Sequence, residues 1–188
     1  MGKALTEMTL EELWKLFPIR LSEHKDEWKD WYTEEEARIA AFLPIAGARI
    51  SHIGSTAIAG IWAKPIVDIL LELPEAASME AAKQSLTDNG YRCMAEAADR
   101  CDFNRGYTSE GFAEKVFHLH LRYFGDNDEL YFRDYLNAHP AVAKEYEALK
   151  RALWKQHEHN RDAYTAAKSA FVMEQTRRAK ELYRNRYA

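Results

Sequence analysis

Cysteine is scarce. Cys93 and Cys101 are the 2 among 188 residues, which excludes a disulfide framework; they could meet across a hairpin, and both read as reduced packing residues. No stretch approaches the ~20 apolar residues of a membrane-spanning helix. The opening residues, Met1 to Trp14, lack the apolar run of a secretion signal, and Leu5 and Thr6 behind Gly2 do not make a lipidation motif. Repeats, low-complexity tracts and Gly/Ser/Pro-rich linkers are absent. So is charge of one sign: 26 Lys and Arg against 30 Asp and Glu leave −4, with no general drive towards nucleic acid or a membrane surface. These absences leave a cytoplasmic chain of ordinary composition, long enough for one domain over residues 1–188. Its partners are expected among small molecules, with a homodimer left open.

Hydrophobic spacing orders the elements. Thr9-Leu10-Glu11-Glu12 is a capping-box pattern that opens a short helix to Phe17, and Pro18 closes this N-terminal helical extension of residues 1–18. Trp28, Trp31, Tyr32, Ile39, Phe42 and Leu43 describe one face of a helix between Glu23 and Leu43. Residues 48–53 alternate as a strand does, and Pro65 to Leu73 is an apolar run that suits a strand covered on both faces. A helix over 75–89, a weak hairpin or meander over 91–94 and 101–108, and a strong strand from Lys115 to Phe124 come next. From Asp126 onwards the pattern is helical: about 127–138, 140–158 behind Pro140, and 161–185 behind the cap residue Asn160. The fold class is α+β (mixed α/β), with a helical layer over 126–188.

Chemistry concentrates at a few positions. Gly54-Ser55-Thr56 sits where a strand gives way to a turn, and its backbone N–H groups and hydroxyls could hold phosphate oxygens. Asp68 interrupts the apolar strand, where an ionised carboxylate costs several kcal/mol unless something pairs with it; Lys64 is one partner within reach. Asp68, Leu70 and Glu72 share a strand face. His118 and His120 share another, and with His52, which ends a further strand, and Asp68 they make a candidate metal set. Arg133, Lys150, Tyr164 and Lys168 are candidates to line a pocket, Tyr164 and Lys168 being i,i+4 neighbours. For each of these a plain structural role competes.

Taken together, His52-Ile53-Gly54-Ser55-Thr56-Ala57-Ile58-Ala59-Gly60, Ala63-Lys64-Pro65-Ile66-Val67-Asp68-Ile69, Phe117-His118-Leu119-His120-Leu121, Phe132-Arg133-Asp134-Tyr135-Leu136 and Asp162-Ala163-Tyr164 through Val172 resemble the GrpB-like proteins. The blocks stand in the family's order and span roughly residues 20–175. GrpB-like proteins are in turn similar to the nucleotidyltransferase superfamily. That resemblance implies a mixed sheet flanked by helices. It also implies that Gly54 and Ser55 touch a nucleotide's phosphates and that Asp68 ligates Mg²⁺. Two departures matter. Leu70 stands where the superfamily has a second metal carboxylate, and His118 or His120 where it has a third. Glu72 lies about 13 Å along the strand from Asp68, too far to substitute.

Three readings remain. One is a Mg²⁺- or Mn²⁺-dependent nucleotidyl transfer from an ATP-like donor, with Asp68, His118 and His120 as catalytic groups and Gly54, Ser55, Thr56, Lys64, Arg133, Tyr164 and Lys168, with Arg105 as a further candidate, around the phosphates. Another is a nucleotide- or phosphometabolite-binding module that has lost catalysis. The third is a Zn-like metal site of His52, Asp68, His118 and His120, hydrolytic in character.

Overall fold

The computed structural model describes residues 3–187. Met1, Gly2 and Ala188, and with them the ends of the expected 1–188 domain and the Gly2 position weighed for lipidation, lie outside the described residues. Helix α1 (Leu10–Leu16) carries the expected capping box: Thr9 Oγ1 accepts from the Glu12 N–H, and the Glu12 carboxylate accepts from Thr9 N–H at 2.7 Å. Helix α2 (Glu27–Phe42) starts later than the apolar spacing implies, and buries Trp28 and Ile39.

Five strands come after it: β1 (Arg49–Ile53), β2 (Val67–Leu73), β3 (Arg92–Ala97), β4 (Arg100–Thr108) and β5 (Gly111–Tyr123). Helix α3 (Met79–Asp88), capped by Ser78, lies between β2 and β3. The sheet order is β1-β2-β5-β4-β3, and only the β2/β5 pair is parallel. The weak hairpin is real, and β5 begins earlier than Lys115 because β4 and β5 extend past the core into a long ribbon. Gly106 gives that ribbon its bulge: its φ is +91°, and a Cβ there would meet the Lys115 carbonyl at 2.4 Å.

The chain closes with α4 (Asp128–Ala138), α5 (Pro140–His157) and α6 (Arg161–Tyr183), where Asn160 Oδ1 caps α6 on the Ala163 N–H. Among the described residues this is a mixed α/β fold with a five-stranded mixed sheet and six α-helices. No helix among the described residues is long and apolar enough to cross a membrane.

Strand pairing decides which residues share a face. Val67, Ile69, Leu71, Phe103, Phe117, Leu119 and Leu121 pack against Trp28, Ile39, Ala82 and Leu86 of α2 and α3. Each such fully buried side chain contributes about 1.5–3 kcal/mol. The opposite face carries Ile53, Asp68, Leu70, His118 and His120. It is only partly filled: Leu70 packs on Ile53 and Leu130, while α4, α5 and α6 form their own core around Phe132, Tyr146 and Ala179. A gap remains between this face and the helices.

Candidate functional site

The gap is a cavity of about 670 Å³. One row of register places Ile53 beside Asp68, Asp68 beside His118 and His118 beside Asn104; the next places Leu70 beside His120 and His120 beside Asp102. Paired residues project to the same side, so Asp68, His118 and His120 open into one space.

Gly54 fits against this row. It has φ +70°, and a Cβ there would lie 2.2 Å from Asp68 Oδ2, so the turn after β1 reaches the carboxylate only because residue 54 has no side chain. Ser55–Ala57 then form a single 3-10 turn.

Asp68 is held by His118, whose Nδ1 lies 3.2 Å from Oδ1. The other ring nitrogen, Nε2, is 2.8 Å from the Tyr107 hydroxyl, which accepts from Arg161 Nη1 at 2.9 Å. Ionised Asp68 can only accept, so Nδ1 carries the proton; in the neutral imidazole Nε2 is then the acceptor, and the Tyr107 hydroxyl, which accepts from Arg161, donates to it. Burial, above all, keeps His118 below the usual imidazole range, against the pull of Asp68. Burial would raise Asp68; the His118 hydrogen bond, with His118, His120 and Lys64 nearby, overcomes it and holds the carboxyl at about 2. His120 differs. Burial opposes its charging, but the Asp102 carboxylate, 2.8 Å from Nδ1, together with Asp68, carries it above its ordinary value.

Facing these strands are three lysines. Lys64 and Lys168 place their ammonium groups 5.6 and 4.5 Å from the centroid of the Tyr164 ring, and Lys150 lies 4.8 Å from that of Tyr146. Burial, then the nearness of Arg161 and Lys168, brings Lys64 down to about 7; burial and Lys168 bring Lys150 to about 7. Lys168 is also lowered, by burial first and then by Arg161. The Tyr164 hydroxyl is buried without a hydrogen-bond partner.

Of the residues singled out in the sequence, Gly54, Ser55, Lys64, Asp68, His118, His120, Lys150, Tyr164 and Lys168 line this one cavity. Four others do not. His52 pairs with Ile69, one residue out of step with Asp68, and so leaves the opposite face, where it stacks on Tyr32 at 4.8 Å. Its Nε2 is 2.9 Å from the Thr56 hydroxyl, which also reaches the Ile66 carbonyl; Thr56 is thereby turned away from the cavity. Arg133 is tied to the His52 carbonyl at 2.9 Å and to Asp134. Arg105 lies on the far face, paired with buried Glu35. The proposed four-residue metal set therefore does not assemble.

A Mg²⁺ pair fits no better. Among the described residues no group of three His, Cys, Asp or Glu converges to hold a metal ion, both nitrogens of His118 are committed, and Leu70 is buried with 0% exposure. Glu72, on the same strand face, is fully buried and bound by Arg49 and Asn127. Asp128 and Glu129 of α4 also line the cavity, but Asp68 is its one strand carboxylate, thin support for hard-ion chemistry on a triphosphate.

Tyr107, Arg161 and Tyr146 were not anticipated. Tyr107 and Arg161 act on Asp68 through His118, and their meeting depends on how the β4/β5 ribbon folds back against the start of α6, a contact between distant segments that no local spacing signals.

A family model described as GrpB protein matches residues 18–178. The protein YqkA of Bacillus subtilis is 31% identical over 94% of this chain, which spans 52% of YqkA's length. Glutamate-rich protein GrpB of Alkalihalophilus pseudofirmus is 35% identical over 83% of this chain and 92% of its own. The crystal structure of GrpB from Enterococcus faecalis superposes with a TM-score of 0.75 at 26% identity, covering 87% of this chain and 99% of that one. The Cid1 poly(U) polymerase with Mg and 3'-dATP bound matches at TM-score 0.52 and 10% identity, over 84% of this chain and 51% of Cid1. At that identity the likeness is one of fold: the sheet and its helices are nucleotidyltransferase-like.

Proposed function

The chain belongs to the GrpB family, and we propose that the cavity between its sheet and its C-terminal helices binds a nucleotide or another phosphorylated metabolite. The observation that carries this reading is the cluster of Lys64, Lys150 and Lys168 in a space that also holds the unpartnered Tyr164 hydroxyl. Lys150 is buried and donates to the Trp62 carbonyl, while Lys64 and Lys168 are half-buried; gathering three ammonium groups in one cavity is costly. An incoming polyphosphate supplies the opposing charge and accepts hydrogen bonds from all of them. Ser55 and the backbone after Gly54 face the same ligand, in keeping with phosphate held at a Gly-Ser turn. The volume suits a small molecule. A divalent ion, Mg²⁺ or Mn²⁺, enters only as the counter-ion of the bound phosphates, beside Asp68. With a single strand carboxylate, binding without nucleotidyl transfer is the reading favoured over catalysis.

Thermal shift with ATP, other nucleoside triphosphates and inorganic tripolyphosphate, with and without Mg²⁺, tests this. At a hundredfold excess over Kd the gain is about 2.7 kcal/mol, or roughly 5–11 °C for a chain of this size. Lys168→Ala removes one charge-assisted contact of about 1.5–3 kcal/mol and weakens binding about 10- to 150-fold. Lysines near 7 when empty must also take up protons on binding a polyanion. At pH 8 the binding enthalpy therefore depends on the buffer's ionisation heat. Absence of any shift with every phosphate tried, or equal binding by Lys168→Ala, refutes the reading. Pyrophosphate release in repeated turnovers would replace it with the transferase.

A further inference from the structure

Beyond the His118–His120 stretch of β5 lies a second cavity of about 560 Å³, which shares His118, His120 and Thr165 with the first. Its floor is the site face of β4 and β5, with Asp102 and Asn104 beside the histidines. Its wall is apolar and comes from the N-terminal segment, through Leu5, Leu10, Leu13 and Trp14, with Met94 of β3 opposite. This wall precedes residues 18–178, the stretch matched by the family model.

The segment is anchored at its C-terminal end and holds no buried residue between Leu5 and Leu16. Phe17 is 3% exposed and packs its ring 4.7 Å from Tyr107 and 5.0 Å from Phe112. Yet Leu10 and Met94 remain 62% and 58% exposed. Large apolar side chains left open around a recess mark a surface that meets a ligand. The charges here balance, Arg92 and Arg161 against Asp102 and Asp162, so the recess lacks the cationic excess that draws phosphate into the first cavity. Its polar floor is the hydrogen-bonded pair of His120 and Asp102, with side chains 26% and 37% exposed; Asp102 Oδ1 also accepts from Arg122 Nη2 at 2.6 Å, which leaves Oδ2 for a ligand.

We propose that this recess binds a small molecule with a flat aromatic body and a hydroxyl group, the ring against Trp14 and Met94 and the hydroxyl on the His120–Asp102 pair. A hydroxyl both donates and accepts, which suits an imidazole beside a carboxylate. Aromatic rings gain from indole and thioether neighbours beyond the area they bury. Only the molecule's place as a second occupant, beside a phosphate ligand, rests on the function proposed above.

Saturation-transfer NMR on the full chain with p-cresol, benzyl alcohol and 2-naphthol tests it. The expected result is transfer to at least one probe. Leu10→Glu and Met94→Glu each put a carboxylate into the apolar wall and weaken that probe about tenfold or more. Both positions are exposed, so these variants melt as the parent does and keep the full ATP-induced shift. Lys168→Ala shows the converse, with probe binding intact and the ATP shift reduced. No transfer to any of the three probes, or probe binding unchanged in both glutamate variants, overturns the proposal. Loss of the ATP response alone sinks the phosphate reading and leaves this one standing.

Discussion

Gly54→Ala probes the closest approach in the site. The backbone there has φ +70° and ψ −170°, a region that costs a residue with a side chain about 1–3 kcal/mol. The added Cβ would stand 2.2 Å from Asp68 Oδ2 and 2.9 Å from both its Cγ and its Cβ. Either the turn moves or the carboxylate leaves His118. Loss of that charge-assisted hydrogen bond costs a further 1.5–3 kcal/mol or so. The sum is about 2.5–6 kcal/mol, which at about 2–4 °C per kcal/mol lowers Tm by roughly 5–24 °C. Calorimetry on Gly54→Ala, Asp68→Ala and the double variant separates the two costs. Asp68→Ala removes Oδ2 and Cγ but keeps Cβ, so it relieves the clash in part and the backbone strain not at all. The double variant should be more stable than the sum of the singles predicts by about 1–2 kcal/mol. Strict additivity, or a fall of less than about 2 °C for Gly54→Ala, would show that turn and carboxylate do not touch.

Three further outcomes rest on the same geometry. Burial above all, with Arg133 adding, holds His52 at about 4 against 6.5 in the unfolded chain, so its stabilising share is present above pH 6.5 and is lost as pH falls towards 4; urea midpoints should drop across that window, and His52→Gln should flatten the drop. Tyr107→Phe removes the donor to His118 Nε2 and should move the NMR titration of that imidazole upwards, whereas an unchanged midpoint means that Tyr107 does not donate to Nε2. Leu70→Asp adds a second carboxylate on the face of Asp68, at a position with 0% exposure. It should destabilise the metal-free protein and tighten Mn²⁺ binding as measured by calorimetry, and equal affinity for the parent and the variant would contradict the one-carboxylate account.

The site was legible in the sequence as far as period-two spacing reaches. Asp68 in an apolar run and His118 with His120 on one side of a strand are local patterns, and the structure brings them to one cavity with Lys64, Tyr164 and Lys168. His52 went wrong by a single step of parity: its being at the end of a strand says nothing about which face it leaves, and the β1/β2 register, with Ile53 opposite Asp68, turns it away. Arg133 and Arg105 are cations of the expected kind placed on the wrong side, because their partners, the His52 carbonyl and Glu35, are set by tertiary contacts. Tyr107 and Arg161, 54 residues apart, could not be coupled to His118 before the ribbon and the helix were packed together.

The treatment of buried charge elsewhere in the fold sharpens the meaning of the lysines. Glu35, 2% exposed, is met by Arg38, Arg105 and Tyr91; Glu72, fully buried, by Arg49 and Asn127. In each case the sheet and its neighbours supply opposite charge and hydrogen bonds in full, as a static core requires. Lys64 and Lys168 receive aromatic faces instead, and share the cavity with Asp68, whose carboxylate is already engaged by His118. Both lysines are half-buried, and ring faces soften the cost of a partly desolvated ammonium by only about 0.5–2 kcal/mol. The remainder is the driving force left for an anion, and it is concentrated where the Gly54-Ser55 turn opens.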